Sequence, residues 1–164
     1  MVICECGTAY RVMRYMMGEL PFKVISFVDL MARYIREGRI KLDKKKYQGR
    51  FTYHDPCQIA RNGGIYDDPR YIISNLTEDF VELNPCKDEN WCCGGGGGLV
   101  AIREKEYRMK TSKIKADQIK AVKPKYLVTA CENCHSQLKD INEDYKLETN
   151  VLFLSELVAD ALLS

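Results

Sequence analysis

The sequence has no stretch approaching the roughly 18–20 consecutive apolar residues that a bilayer-spanning helix needs, so no transmembrane segment of its own is expected. Nor does MVICECGTAYRVMRYMM place a basic region ahead of an apolar one. No signal peptide is read, and a cytoplasmic location is the default expectation. Excess charge of either sign is also missing. Lys and Arg number 25 against 23 Asp and Glu, a formal net charge of +2. That balance argues against nucleic acid or an anionic membrane surface as the partner.

What remains is an ordinary globular composition with one departure. The 164 residues allow one domain, or one domain plus part of another. Apolar residues make up 46% and charged residues 29%, enough for a core with a solvated surface. The departure is eight cysteines. A chain of this length does not need disulfide staples, and adjacent cysteines rarely bridge to each other. In a reducing compartment, clustered cysteines are metal ligands or catalytic thiols more often than disulfides.

Short apolar runs alternate with helical patterns. Residues 1–4 and 23–26 read as strands, and 6–17 as a helix with Cys6, Tyr10, Met13 and Met17 on one face. Ser26-x-x-Asp29 reads as a capping box opening a helix to about Gly38. Residues 41–50 lack an apolar period and read as a linker. Further strands are expected at 51–54, 80–83, 126–130 and 151–154. Helices are expected from Asp68-Pro69 to Leu76, over 99–122, through Cys134, Leu138, Ile141 and Tyr145, and from Ser155. The pairs Glu104/Arg108 and Glu106/Lys110 give the long helix an exposed charged face. This alternation predicts an α/β fold, a parallel sheet with helices on both faces.

The two ends repeat each other in pattern. Cys6, Tyr10, Met13 and Met17 match Cys134, Leu138, Ile141 and Tyr145 at an offset of 128, and the following strands match at 127. Residues 1–40 therefore read as the tail of a first, incomplete repeat, 41–50 as a linker, and 51–164 as a complete repeat, with two generic strand–helix units as the bland alternative.

The cysteines fall at particular places in this plan. Cys57 follows a strand, and Cys92 and Cys93 precede a glycine run and a helix. Cys131 ends a strand, and Cys134 opens the next helix. Strand C-termini and helix N-termini share one edge of a parallel sheet, and ligands bind there. Helix N-termini also stabilise the thiolate that binds metal. Glycines Gly94, Gly95 and Gly96 would let the backbone approach a bulky inorganic core and aim N–H groups at sulfur. A flexible linker is the bland alternative.

The spacing Cys57, 34 residues, Cys92-Cys93-Gly94, 37 residues, Cys131-x-x-Cys134 resembles the cysteine-rich CCG domain. His54-Asp55-Pro56-Cys57 and Trp91-Cys92-Cys93-Gly94-Gly95-Gly96-Gly97 match its wording, and the likeness covers residues 51–164. Such domains occur in the catalytic subunit of heterodisulfide reductases. They also occur in a cytoplasmic subunit of the sulfate reducers' membrane electron-transfer complex. Relatives serve glycolate, lactate and glycerol-3-phosphate oxidising systems. The resemblance implies a noncubane [4Fe–4S] cluster on Cys57, Cys92, Cys93, Cys131 and Cys134. It also implies redox partners, either a ferredoxin-like chain or a haem-bearing membrane subunit that holds the chain at the inner face. A disulfide or thiol pair would be the substrate. The chain has no Cys-x-x-Cys-x-x-Cys ferredoxin run, so relay clusters would lie elsewhere. The first repeat departs from the pattern, since Cys4-Glu5-Cys6-Gly7 lacks the Cys-x-x-Cys spacing.

Weaker candidates remain. His54 could deliver protons, although a histidine at a strand end is more often simply hydrogen-bonded. The same discount applies to His135. Cys86 reads as a structural thiol. The Lys and Arg residues of 102–123 read as a solvated face. Zinc on Cys57, Cys93, Cys131 and Cys134 is the alternative to a cluster, and it leaves the fifth thiol without a task. A relay subunit without its own disulfide chemistry is the other rival.

Overall fold

Two parallel sheets organise the chain, whose computed structural model describes residues 1–102 and 105–163. In the first, β1 (Val2–Cys4) pairs with β2 (Val24–Ser26), Val2 opposite Val24 and Cys4 opposite Ser26. Helix α1 (Gly7–Arg11) links them and runs on into a π-helical turn, Val12–Met16. Helix α2 (Phe27–Arg36) follows β2 directly. Its start is closed from both sides. The Ser26 hydroxyl accepts the Val28 N–H at 3.2 Å, and the Asp29 carboxylate accepts the Ser26 N–H.

The second sheet has the order β3 (Phe51–Tyr53), β4 (Tyr126–Thr129), β5 (Asn150–Phe153), all parallel. Helices α3 (Asp67–Ser74) and α4 (Lys105–Val122) lie between β3 and β4 in the chain. Helix α5 (Glu132–Asp144) joins β4 to β5, and α6 (Leu154–Asp160) follows. Successive β4 residues serve opposite faces, as strand geometry dictates. Val128 packs with Phe51, Tyr53, Met31, Ile72 and Leu157 on the α2, α3 and α6 side. Leu127 packs with Met109, Ala116, Leu138 and Ile141 on the α4 and α5 side. Helices thus cover both faces, and the central strand is apolar throughout because neither face meets water.

Three local expectations change. Residues 80–83 supply only a single parallel bridge, Phe51 to Phe80. The segment leaves the sheet because Glu82 turns to the guanidinium of Arg70, 2.5 Å away. Helix α3 begins at Asp67, so Asp68 sits in its first turn rather than capping it. Residues 99–102 form turns, and the long helix is described from Lys105; Glu104 lies outside the described residues.

The order β1–α1–β2–α2 matches β4–α5–β5–α6. The strand pairing corrects the register of the match. If Val24 stands for Val151, their strand partners Val2 and Leu127 correspond as well. Cys6 then falls on Cys131, each of them the N-cap of its helix, and Ala9 falls where Cys134 stands.

Asp29 on α2 hydrogen-bonds Asp68 on α3. Burial first, and this acidic neighbour next, push its pKa up to about 6 from 3.8. Between those values the folded chain holds a proton that the unfolded chain releases, so stability falls as pH rises through the window. Asp29→Asn keeps the acceptor for the Ser26 N–H and should raise the urea midpoint at about pH 7.5 but little at about pH 4. Equal effects at both pH values would refute this account.

Candidate metal centre

At the C-terminal ends of β3 and β4 the chain leaves the sheet in two turns, and each delivers a thiol. After β3, the His54 N–H still bonds the Val128 carbonyl at 2.9 Å, and the chain then folds back, with Ala60 N–H on Pro56 O at 2.8 Å. Cys57 sits on that bend. After β4, Cys131 caps α5, and its carbonyl accepts the His135 N–H at 2.8 Å. Cys134 lies in the first turn of the helix. Cys92 and Cys93 come from the loop that crosses the same edge.

The five sulfurs form one run of contacts. Cys57 and Cys92, Cys92 and Cys93, and Cys131 and Cys134 lie near enough for each to shift the titration of its neighbour. The Cys93 and Cys134 sulfurs lie 3.3 Å apart. Crowded thiols titrate against each other. Contact with Cys92 and then burial push Cys57 up. Contacts with Cys57 and Cys93, helped by the Gly94 N–H, hold Cys92 down. The Cys134 sulfur lowers Cys93, but contact with Cys92 and burial outweigh it and leave the thiol at about 12. Cys134 is raised by Cys131 and Cys93. Cys131 drops to about 6 through the Cys134 sulfur and, against burial, the facing N–H groups of Cys134 and Asn133. Protons alone leave this group frustrated, and five thiolates together need a cation among them.

Glycine makes the crossing loop possible. Gly94 has φ +84° and Gly95 does not, but a Cβ on either would collide: at Gly94 with the Ser112 hydroxyl, at Gly95 with Gln137 at 2.8 Å. Their N–H groups face the Cys92 and Cys93 sulfurs at 3.3 and 3.4 Å. Gly96 instead offers its carbonyl to the Leu99 N–H at 3.2 Å, with open space beside its Cα. Ser112 on α4 donates to the Cys93 carbonyl at 2.9 Å and accepts from Gln137 on α5 at 2.7 Å. The loop is thereby fastened between two helices.

The site has a closed side and an open side. Cys93 and Cys134 are buried, Cys57 and Cys131 half-buried, and Cys92 exposed. His54 closes the buried side, its ring within 4.8 Å of the Cys93 and Cys134 sulfurs. Both ring nitrogens are buried without a hydrogen-bond partner among the described residues. Burial, then the Lys115 charge, push its pKa well below the ordinary histidine value, so the ring is neutral. Five converging sulfurs, two N–H groups aimed at them and an orphaned imidazole fit an inorganic group with sulfur ligands.

Other candidates stand apart. His135 packs on β5, its ring 5.6 Å from that of Phe153. Cys86 lies outside the run of sulfurs, its pKa raised by burial and by Glu82. Cys4 is buried in the core beside the exposed Cys6.

Reading along the sequence misses the supports. Arg70 on α3 grips both oxygens of buried Asp55 at 2.8 Å and both of Glu82 at 2.5 and 2.8 Å. Burial opposes its charge, but these bonds hold its pKa above the usual value. Asp55 also accepts the Lys87 N–H at 2.8 Å, and its carbonyl accepts from the Asn90 amide at 2.6 Å. Arg61 holds the Asp88 and Asn90 carbonyls at 2.6 and 2.5 Å. The charged helix also does more than face solvent, since Arg108, Lys115 and Gln118 are buried.

The family model described as CCG, cysteine-rich domain, matches residues 51–139. A dihydromethanophenazine:CoB–CoM heterodisulfide reductase polypeptide of Methanosarcina mazei is 33% identical over 98% of the chain and 40% of its own length. An Hdr-like menaquinol oxidoreductase iron–sulfur subunit of Archaeoglobus fulgidus is 31% identical over 84% of the chain and 26% of its own length. The EtfAB:quinone oxidoreductase of Syntrophomonas wolfei is 26% identical over 85% of the chain and 20% of its own length. The chain therefore spans two fifths or less of these relatives. Among the described residues no helix is long and apolar enough to cross a membrane.

Replacing Arg70 with Met should leave Asp55 buried and unpaired, at a cost of ~3–5 kcal/mol by urea denaturation. The double variant Arg70→Met/Asp55→Asn should recover part of that loss. A strictly additive cycle would rule the pair out as the anchor.

Proposed function

The chain belongs to the cysteine-rich CCG domain family, and on that premise we propose that it is the iron–sulfur electron-transfer module of a heterodisulfide-reductase-like complex. In this reading Cys57, Cys92, Cys93, Cys131 and Cys134 hold a [4Fe–4S] cluster of the noncubane kind. The observation that carries it is the buried pair Cys93 and Cys134, 3.3 Å apart beside His54, with Cys57, Cys92 and Cys131 in the surrounding loops and Cys92 open to solvent. Names of relatives that are iron–sulfur subunits or oxidoreductases support the same class.

When bound, the group would supply or accept electrons one at a time. The substrate step takes a disulfide, two electrons and two protons to two thiols, or runs in reverse. The electrons come from redox partners, a ferredoxin-like chain or a haem-bearing membrane subunit that keeps the module at the inner, cytoplasmic face. The chain's own residues shape the approach. Exposed Cys92 and half-buried Cys57 leave one side free for a substrate sulfur, while the Gly94 and Gly95 N–H groups stabilise negative charge on the sulfurs. His54 faces the buried side, a position for a hydrogen bond to sulfur more than for a proton path to solvent. Residues 1–40 belong to a first repeat that carries Cys6 alone at the matching edge.

A relay without disulfide chemistry is the second reading, favoured by the quinone oxidoreductase among the relatives. Anaerobically prepared chain should hold about four irons, and a thiol substrate should perturb its EPR signal. An iron-loaded chain whose signal ignores every thiol would leave the relay reading standing. Cys92→Ser should lose the iron. Stoichiometric zinc, retained in Cys92→Ser, would sink the cluster altogether.

A further inference from the structure

Among the described residues Lys115 is the largest charged side chain with no exposure at all. Its Nζ donates to the Asn90 Oδ1 at 2.7 Å, and no carboxylate lies within ion-pairing distance of it among the described residues. Asn90 cannot rotate away, because its amide nitrogen is committed to the Asp55 carbonyl and its own carbonyl to Arg61. Asp55, the carboxylate whose charge Lys115 feels, already has both oxygens on Arg70. A buried ammonium without an anion is strongly unfavourable.

The missing anion stands one helical turn away. Ser112, on the same face of α4, bonds the Cys93 carbonyl. Burial lowers the Lys115 pKa to about 8, opposed first by the Cys93 sulfur, then by the Asp55 carboxylate, then by the Cys134 and Cys92 sulfurs. We infer that the Lys115 ammonium is the built-in counter-charge of the five-cysteine site, positioned by Asn90 to offset the negative charge of the loaded centre. Each half explains the other: the thiolates make the buried cation tolerable, and the cation makes five thiolates tolerable. Five thiolates outweigh the positive charge of an iron–sulfur core, so an added electron deepens an existing negative charge. Lys115 therefore favours the reduced form and raises the potential. Lys115 is a positioning residue in this scheme, acting through charge and touching no substrate.

The inference rests on the cluster reading, and the test separates the two. Lys115→Met keeps an unbranched side chain one atom shorter and removes its charge together with its bond to Asn90. In the metal-free chain it should raise the urea midpoint, since the lysine is buried there with little anionic compensation. In the iron-loaded chain that gain should vanish or reverse, and the reduction equilibrium should shift at least tenfold toward the oxidised form, ~59 mV for one electron. A Lys115→Met chain that is unfolded or less stable without metal would overturn the inference, because packing would then be the role of the lysine. An unchanged potential would overturn it too. If the variant folds but takes up no iron, Lys115→Arg decides: recovered loading supports the counter-charge, and lost loading removes it. Absence of iron from the unaltered chain would strike the cluster reading instead.

Discussion

The grip of Arg70 on Asp55 is the constraint on which the site depends. Asp55 lies two residues before Cys57, and the same residue anchors Lys87 and Asn90 in the loop that leads to Cys92. One guanidinium therefore sets the distance between two segments more than thirty residues apart in sequence. Burying an ion pair is costly on its own account, and replacing such pairs with apolar residues often stabilises a protein. Its use here is geometric. A carboxylate held by several bonds at once has one orientation, and the turn that carries it inherits that orientation.

The sheet supplies the other half of the geometry. Parallel strands end on one edge, so β3 and β4 hand Cys57 and Cys131 to the same place without any long-range signal in the sequence. Helices α4 and α5 then close one side through Ser112, Gln137 and Arg108, polar residues in a seam that apolar packing would otherwise fill. The seam bonds the Cys93 carbonyl, and this explains hydroxyl and amide groups at positions buried to zero exposure.

Much of this is legible in the sequence, and the exceptions have physical causes. Strand ends and helix starts are visible because each is written locally, in apolar runs and capping residues. FVEL has the composition of a strand, yet it gives only one bridge, because Glu82 answers to a distant arginine. Matching Cys6 to Cys134 by helical spacing gives one register, whereas the strand pairing matches Cys6 to the N-cap Cys131. Lys115 reads as one more cation in a basic helix. It shares a helical stripe with Met109, Ala116 and Ile119, and that spacing is the available sign of burial. Arg70 leaves no such sign, since its partners are distant in sequence.

Adjacent residues of an extended chain face opposite ways, and Cys92 and Cys93 divide accordingly, one in solvent and the other 2% exposed. This gives the site a direction of approach. Among the described residues α4, α5 and His54 cover the side of Cys93 and Cys134, so whatever enters the site approaches from the side of Cys92 and Cys57. The outermost thiol is the one an incoming group meets first, while the buried pair beneath is held by the packing of the two helices.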